Sequence, residues 1–211
     1  MEIEVRNASK VINGKTILEN ISLTMQGGKI YGLQGPNGSG KTMLMRLVSG
    51  LIKPSSGEIY INREMLGKDI DFPRSLGLLI ESPNFLPNYT GLKNLDLLAQ
   101  IKGIIIKEDI WQTMQSVGLN PDDRRIFRKY SLGMRQRLGI AAAVMEHPDI
   151  IILDEPTNAL DCDGVEQICK IIREEKNRGA LLIISSHDLT LLELLADEIF
   201  ILSDGRMIKQ L

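Results

Sequence analysis

The stretch GPNGSGKT, from Gly35 to Thr42, has the residue types and spacing of a phosphate-binding loop. Its glycines allow backbone N–H groups to converge on phosphate oxygens without a Cβ in the way. Lys41 supplies a positive charge for the β- and γ-phosphates, and the Thr42 hydroxyl is a suitable Mg²⁺ ligand. The alternative is a glycine-rich turn without a ligand. The predicted cofactor-binding residues of this segment are Gly35, Pro36, Asn37, Gly38, Ser39, Gly40, Lys41, Thr42 and Met43, with packing as the alternative role of Met43.

The acidic pair Asp154-Glu155 ends a second informative stretch, IIILDEP. Ligands of α/β sheets bind at the carboxyl ends of the strands, and adjacent acids repel each other there unless a cation lies nearby. We interpret Asp154 as an outer-shell Mg²⁺ ligand and Glu155 as the catalytic group that polarises the attacking water. His187 follows the apolar stretch ALLIISS and is predicted to act with Lys41 and Glu155 as a catalytic residue that donates to the γ-phosphate. A solvated strand end and a structural histidine are the alternatives.

Strand and helix patterns alternate around these residues. KIYGLQ predicts a strand that leads into the glycine loop, and KTMLMRLVSGL after it has helical spacing. Asn13-Gly14 is a strong hairpin signal. Thr90 is predicted to be an N-cap, and Thr190 with Glu193 matches a capping box for a later helix. Together these patterns predict an α/β fold.

The character of the chain changes to helix only between residues 88 and 147. We therefore predict one domain, 1–211, with a parallel-sheet core that includes an N-terminal antiparallel β subdomain and is interrupted by an all-helical insert. Residues 1–87 and 148–211 form the core in this interpretation, and residues 88–147 form the helical subdomain.

Composition excludes several classes of protein. The 211 residues include 25 Lys+Arg and 27 Asp+Glu, so the basic excess typical of nucleic-acid binding is missing. Cys162 and Cys169 lack metal-ligand spacing and are predicted to be free thiols in a reducing compartment. The N-terminus has no export signal, and the longest uncharged apolar run, 138–145, is far short of the about 18–20 residues that span a bilayer. We expect a cytoplasmic protein that reaches the membrane only by docking to another chain.

The stretch YSLGMRQRLG, from residue 130, is typical of a second anion site, because a serine and a glycine open a basic amphipathic segment. With this stretch the chain resembles the ATP-binding subunits of ABC transporters. The resemblance rests on four motifs in order, GPNGSGKT, YSLGMRQR, IIILDEPTNALD and SSH, and covers nearly the whole chain. It implies a P-loop NTPase (RecA-like) core, ATP and Mg²⁺ as cofactors, and hydrolysis of ATP.

The resemblance also implies why one chain has two anion sites. In that family two ATPase domains pair head to tail, and each signature segment caps the γ-phosphate of ATP on the partner's phosphate-binding loop. Ser131 and Gly133 would be the signature residues that bind nucleotide, and Asp161 would cross the interface. The implied partners are a second ATPase domain, as a homodimer that forms on ATP binding, and a polytopic membrane permease that holds the chain at the inner face of the cell membrane.

Two stretches, LGLLIESPNFLPNYTGLKNL and YSLGMRQRLGIA, resemble the bacitracin-resistance and lantibiotic-immunity type within this family. That resemblance implies export or expulsion of an antimicrobial peptide or a similar amphiphile.

Three positions depart from the family pattern. Glu81 stands where most members have Gln, and we hypothesise that it contacts Mg²⁺ or its water and relays the nucleotide state to the membrane subunit. Leu132 and Met134 replace the usual Gly and Gln of the signature, which predicts a weaker clamp. Where the family stacks adenine on an aromatic ring, this chain offers only Val11 or Ile12. An aliphatic wall loses about 1 kcal/mol of stacking, so we expect modest ATP affinity and weak discrimination between purine nucleotides.

Three other functions are alternatives to a transport ATPase. A soluble ABC ATPase that acts on nucleic acid or ribosomes usually has a long coiled-coil insertion or tandem ATPase domains, and neither fits this length. A small-molecule P-loop kinase leaves YSLGMRQR without a purpose. A non-catalytic nucleotide-binding module does not need Lys41, Asp154, Glu155 and His187 together.

Overall fold

A computed structural model describes residues 1–210 and contains two β-sheets and six α-helices. The strands are β1 (Glu2–Ile12), β2 (Lys15–Gln26), β3 (Ile30–Gln34), β4 (Ser56–Ile61), β5 (Glu64–Met65), β6 (Leu76–Leu79), β7 (Ile150–Leu153), β8 (Leu181–Ser185), β9 (Glu198–Ser203) and β10 (Arg206–Gln210). The helices are α1 (Lys41–Val48), α2 (Gly91–Lys102), α3 (Lys107–Ser116), α4 (Leu132–Val144), α5 (Cys162–Arg178) and α6 (Leu189–Leu195). The predicted α/β fold is confirmed.

The larger sheet has the strand order β10-β9-β3-β8-β7-β6, in which all neighbours except β10 and β9 are parallel. Its central strands are buried on both faces, as parallel sheets require. Along β7, Ile150 and Ile152 pack into one hydrophobic cluster with α1 and the antiparallel sheet. Ile151 and Leu153 pack into the other cluster, with residues of α2 to α6. The two-residue alternation of the strand therefore joins both halves of the molecule.

The smaller sheet is antiparallel, with the order β2-β1-β4-β5. The turn between β1 and β2 is formed by Asn13 and Gly14, which have φ angles of 50° and 78°. Positive φ at both central residues defines the type I′ turn, whose twist matches that of the flanking strands. The predicted hairpin is confirmed.

Helices α2, α3 and α4 and a 3₁₀-helix at Phe127–Lys129 all lie within residues 88–147. Thr90 is the N-cap of α2, because its side chain accepts a hydrogen bond of 3.2 Å from the Lys93 N–H. We propose that residues 88–147 form the inserted subdomain. No helix within residues 1–210 is both long and apolar enough to cross a bilayer.

The predicted capping box at Thr190 and Glu193 is wrong. Helix α6 begins at Leu189, and its N-cap is Asp188, whose carboxylate accepts from the Leu191 N–H at 3.2 Å. Thr190 therefore lies inside the first turn. Either residue type caps a helix well, but only one of the two begins this helix.

Candidate functional site

The glycine loop joins the carboxyl end of β3 to the first residue of α1. Gly35 has a φ of 149°, and a Cβ there would overlap the Leu202 carbonyl oxygen. Gly40 has a φ of 107°, and its Cβ would lie 2.6 Å from the Leu18 Cδ2. No side chain caps α1, whose N-cap is Gly40. The loop thus needs glycine for its own geometry and leaves the first N–H groups of α1 available to an anion.

Lys41 folds back over this loop. Its Nζ donates to the Gly35 carbonyl at 2.6 Å and to the Pro36 carbonyl at 3.3 Å. The residue is only 7% exposed. A phosphate that enters the loop would replace these two neutral carbonyls as the hydrogen-bond acceptor of the Lys41 ammonium group. A charged acceptor binds an ammonium group more strongly than a neutral one does.

A hydrogen-bond chain connects the helix to the strands beneath it. The Thr42 hydroxyl donates to Asp154 Oδ2 at 2.7 Å, and the Ser185 hydroxyl donates to Asp154 Oδ1 at 2.5 Å. The same Ser185 oxygen accepts from the Glu155 N–H at 2.9 Å. Because β8 is the neighbour of β7 in the sheet, Ser185 reaches both residues that follow β7, and Asp154 in turn reaches Thr42. The predicted acids and Thr42 are therefore next to each other.

Glu155 and His187 face each other at the end of this series of hydrogen bonds. His187 Nε2 lies 3.1 Å from Glu155 Oε1, and the His187 N–H donates to Oε2 at 3.2 Å. Oε1 is buried, and the His187 ring nitrogen beside it is not aligned to make a hydrogen bond with it. Burial raises the pKa of the Glu155 carboxyl, and the charges of His187 and Lys41 reverse that rise only in part. A carboxylate with a raised pKa is a better proton acceptor than an ordinary one.

A cavity of about 270 Å³ opens over these groups. Its lining residues are Ile17, Asn37, Gly38, Ser39, Gly40, Lys41, Thr42, Met43, Asp154, Glu155 and His187. Ile17 of β2 provides the aliphatic wall. Ile12, the predicted contact for adenine, lies outside this lining, at the end of β1, and is 39% exposed.

Ser131 and Gly133 also lie outside the lining of this cavity. Ser131 is the exposed N-cap of α4, and its hydroxyl accepts from the Met134 N–H at 3.2 Å. Gly133 sits against the loop after β7, where a Cβ would come within 2.8 Å of the Ala159 carbonyl oxygen. Asp161 is the N-cap of α5 and has a side chain that is 77% exposed. The structure does not bring these three residues to the glycine loop of their own chain.

A family model described as ABC transporter matches residues 18–158. Similar chains include an uncharacterized ABC transporter ATP-binding protein, YybJ, of Bacillus subtilis (strain 168), which is 52% identical over 185 residues, or 88% of this chain and 85% of the relative. The bacitracin transport ATP-binding protein BcrA of Enterococcus faecalis is 38% identical over 99% of this chain and 68% of its own length. The lantibiotic transport ATP-binding protein SrtF of Streptococcus pyogenes is 37% identical over 98% of this chain and 89% of its own length.

The chain belongs to the ABC transporter family. It is the ATP-binding and ATP-hydrolysing subunit, as the resemblance in the sequence implied. A solved structure described as the ATP-binding subunit of an ABC transporter has a TM-score of 0.90 and 26% identity, and the match covers 100% of this chain and 89% of that one. A second, described as a dimeric post-hydrolysis state of an ATP-binding cassette bound to ADP and Pi, has a TM-score of 0.89 at 24% identity over 99% and 97% of the two chains, and shows the fold alone.

Glu81 of this ABC subunit has a φ of 60° and lies two residues beyond β6. Its Oε1 is 2.7 Å from the Arg46 Nη2, so its carboxylate is paired with α1. Glu81 also lines a cavity of about 300 Å³ that shares Asp154 and Glu155 with the first one. Within residues 1–210 no group of three or more His, Cys, Asp or Glu side chains is placed to hold a metal. Glu81 as a Mg²⁺ contact stays a prediction.

Sequence reasoning gave no role to three residues that shape the site. Ser185 holds both acids, Ile17 forms the cavity wall, and the Gln136 side chain donates to the Glu155 carbonyl at 3.0 Å. Ser185 opens the SSH motif, two residues before His187, and this position is a usable signal. Ile17 carries none, because an isoleucine in a strand is explained by packing alone.

Proposed function

We propose that two copies of this subunit bind two ATP molecules head to tail, with the phosphate-binding loop of one copy facing the signature residues of the other. The observation that carries the proposal is the separation of the two anion sites within one chain. Lys41 and Thr42 line the cavity over the acids, whereas Ser131 and Gly133 lie outside it at the exposed start of α4. A helix N-terminus without a phosphate of its own is a ready partner for the phosphate of a second copy.

Mg²⁺ fits the residues beneath the loop. The Thr42 hydroxyl and the Asp154 carboxylate are hard oxygen donors that already lie 2.7 Å apart, and Mg²⁺ prefers such donors together with phosphate oxygens. We infer that Thr42 holds the ion directly and that Asp154 holds it through water. The ion would neutralise charge on the β- and γ-phosphates.

Hydrolysis in this proposal depends on Glu155. Its Oε1 is buried beside His187 Nε2 without an aligned hydrogen bond, and burial raises the pKa of the carboxyl. Glu155 is therefore suited to polarise the attacking water. Lys41 supplies charge to the β- and γ-phosphates, and His187 donates to the γ-phosphate. These groups are already in position before the reaction begins, so they need little rearrangement to stabilise the transition state.

We propose that the permease docks in an apolar groove beside the segment 81–85. Two adjoining cavities of about 440 and 430 Å³ share Asn84, Phe85 and Leu98. Leu51, Leu86 and Leu98 are exposed hydrophobic side chains along them. Ser82 lines both the groove and the cavity next to Glu155. One short segment therefore contacts both the catalytic side and the docking side, which supports a relay of the nucleotide state through Glu81.

The proposed cargo is a peptide antibiotic that acts at the membrane. BcrA is named for bacitracin transport and SrtF for lantibiotic transport, and both match this chain over nearly its whole length. A cell that lacks the subunit should become more sensitive to one of these peptides, and the wild-type gene should restore resistance while Glu155→Gln should not. Unchanged sensitivity to both peptides would contradict the proposed cargo, but it would not bear on the proposal that the subunit hydrolyses ATP as a dimer.

The composite site is tested by mixing two inactive variants. Lys41→Ala removes a loop residue and Ser131→Ala removes a signature residue, so each homodimer lacks an intact site. A mixed dimer has one site with both residues. Random pairing makes half of the dimers mixed, so an equal mixture should regain at most roughly a quarter of the wild-type ATPase rate. If the mixture stays as inactive as its components, each site is formed within one chain and the proposal fails.

A further inference from the structure

Arg137 lies on α4, and its guanidinium contacts the end of α3 and two positions of α5. Its Nη1 donates to the Val117 carbonyl at 2.6 Å and to Gln167 Oε1 at 2.7 Å, and its Nη2 lies 3.4 Å from Asp161 Oδ1. The side chain is only 16% exposed. It therefore joins α4 to the end of α3, to the middle of α5 and to the N-cap of α5.

The guanidinium occupies space that is free because two neighbouring residues are glycines without a Cβ. A Cβ at Gly118 would overlap Arg137 Nη1, and a Cβ at Gly164 would lie 2.5 Å from Nη2. Gly118 also has a φ of 77°, which favours glycine by itself. Gly164 lies inside helix α5, where alanine is the better helix former by about 1 kcal/mol. The space taken by the Arg137 guanidinium and the Asp161 carboxylate explains glycine at that position.

The loop 155–161 lies against α4 at three points, two of which are hydrogen bonds. Gln136 donates to the Glu155 carbonyl at 3.0 Å at the start of the loop. Gly133 is apposed to Ala159 in the middle, and Arg137 reaches Asp161 at its end. The helix that begins with Ser131 and the loop that begins with Glu155 thus form one unit.

We propose that Arg137 is a positioning residue that couples the two nucleotide sites of the dimer. It holds Asp161 Oδ1, which also accepts from the Gly164 N–H at 3.0 Å, and so fixes the direction in which this exposed carboxylate faces the partner. Through the same loop, the state of Glu155 in one site is transmitted to the residues that the partner's site contacts. This inference rests on the proposed head-to-tail dimer and assigns a residue to the communication between its sites.

Arg137→Lys keeps the charge but loses the forked geometry that reaches three acceptors. We expect ATP binding to the isolated protomer to stay unchanged, while ATP-driven dimerisation in a Glu155→Gln background weakens about tenfold. In the chain that keeps Glu155, Arg137→Lys should lower the Hill coefficient for ATP hydrolysis towards 1. It should also change kcat by a larger factor than KM. Arg173→Lys, on the exposed side of α5, is the matched control and should change none of these quantities.

A double-mutant cycle separates this role from a general loss of stability. If Arg137 acts through Asp161, Arg137→Lys should not weaken ATP-driven dimerisation any further in a chain that already has Asp161→Ala. Gly164→Ala disturbs the same contact by another route, because its Cβ would lie 2.5 Å from Arg137 Nη2 and 2.7 Å from Asp161 Oδ1. If Arg137→Lys does not fold, this variant decides whether the Arg137–Asp161 contact is needed. Wild-type dimerisation and cooperativity in these variants would overturn the inference. Failure of Glu155→Gln alone to dimerise with ATP would instead overturn the proposed dimer.

Discussion

The two anion sites of this chain differ in how they are built. The loop site is closed on itself, because Lys41, Thr42 and Asp154 are held by hydrogen bonds from their own chain. The signature site is open, since Ser131 is an exposed N-cap and Asp161 is largely exposed. The first site is organised before nucleotide arrives, and the second presents groups to another molecule. In the dimer that we propose, a catalytic site divided in this way is complete only when two copies meet, so assembly itself would control the reaction.

The largest expected effect is at the closed site. Glu155→Gln removes the proton acceptor and should slow turnover by roughly 10²–10⁴-fold while ATP binding persists. Single-turnover hydrolysis and nucleotide affinity, measured on the same preparation, give both quantities. An unchanged hydrolysis rate would remove Glu155 from its proposed role.

Ser131→Ala tests the open site. Loss of one phosphate donor should lower kcat by about 10²-fold, with no change in the ATP affinity of the isolated protomer. The matched control is Thr90→Ala, because Thr90 caps α2 with the same 3.2 Å contact that Ser131 makes in α4. Both changes cost about 1 kcal/mol of capping, and only the first should affect hydrolysis. Equal losses in the two variants would show that capping, not phosphate contact, explains the effect.

The pH dependence of hydrolysis should reflect the burial of Glu155. Its carboxyl must be deprotonated to accept a proton, and burial raises its pKa, so activity should be lost at a higher pH than for an exposed glutamate as pH falls. The His187 charge lowers the same pKa. His187→Ala should therefore move the acidic limb of the kcat profile to still higher pH. His147→Ala is the control, because His147 pairs with Glu175 instead, and an acidic limb that does not move in His187→Ala contradicts the coupling.

The smallest expected effect concerns the base. Ile12→Tyr should restore a stacking surface worth about 1 kcal/mol, or roughly fivefold in ATP affinity. Val11→Tyr is the comparison, because neighbouring residues in a strand point to opposite faces, so at most one of the two new rings should face the nucleotide. If both variants bind ATP as the wild type does, the wall at Ile17 rather than Ile12 receives the base.

The sequence predicts the closed site better than the open one for a physical reason. Residues 35–42 must adopt one backbone path, so their types and spacing are restricted, and Asp154 follows a strand whose burial is readable from four apolar residues. Contacts such as Arg46 with Glu81 or Arg137 with Gln167 join side chains that are far apart in the chain. No local pattern predicts them. The predicted cap of α6 was wrong for a different reason. Asp188 and Thr190 are both good cap residues, and the local sequence does not decide between them, whereas in the structure Asp188 is the N-cap.

The most direct test is the ATPase rate per protomer as a function of protein concentration. If each nucleotide is enclosed by two copies, the specific activity must fall on dilution below the concentration at which dimers form, with light scattering reporting monomers in the same samples. A monomeric preparation that hydrolyses ATP at the full specific activity would contradict the account.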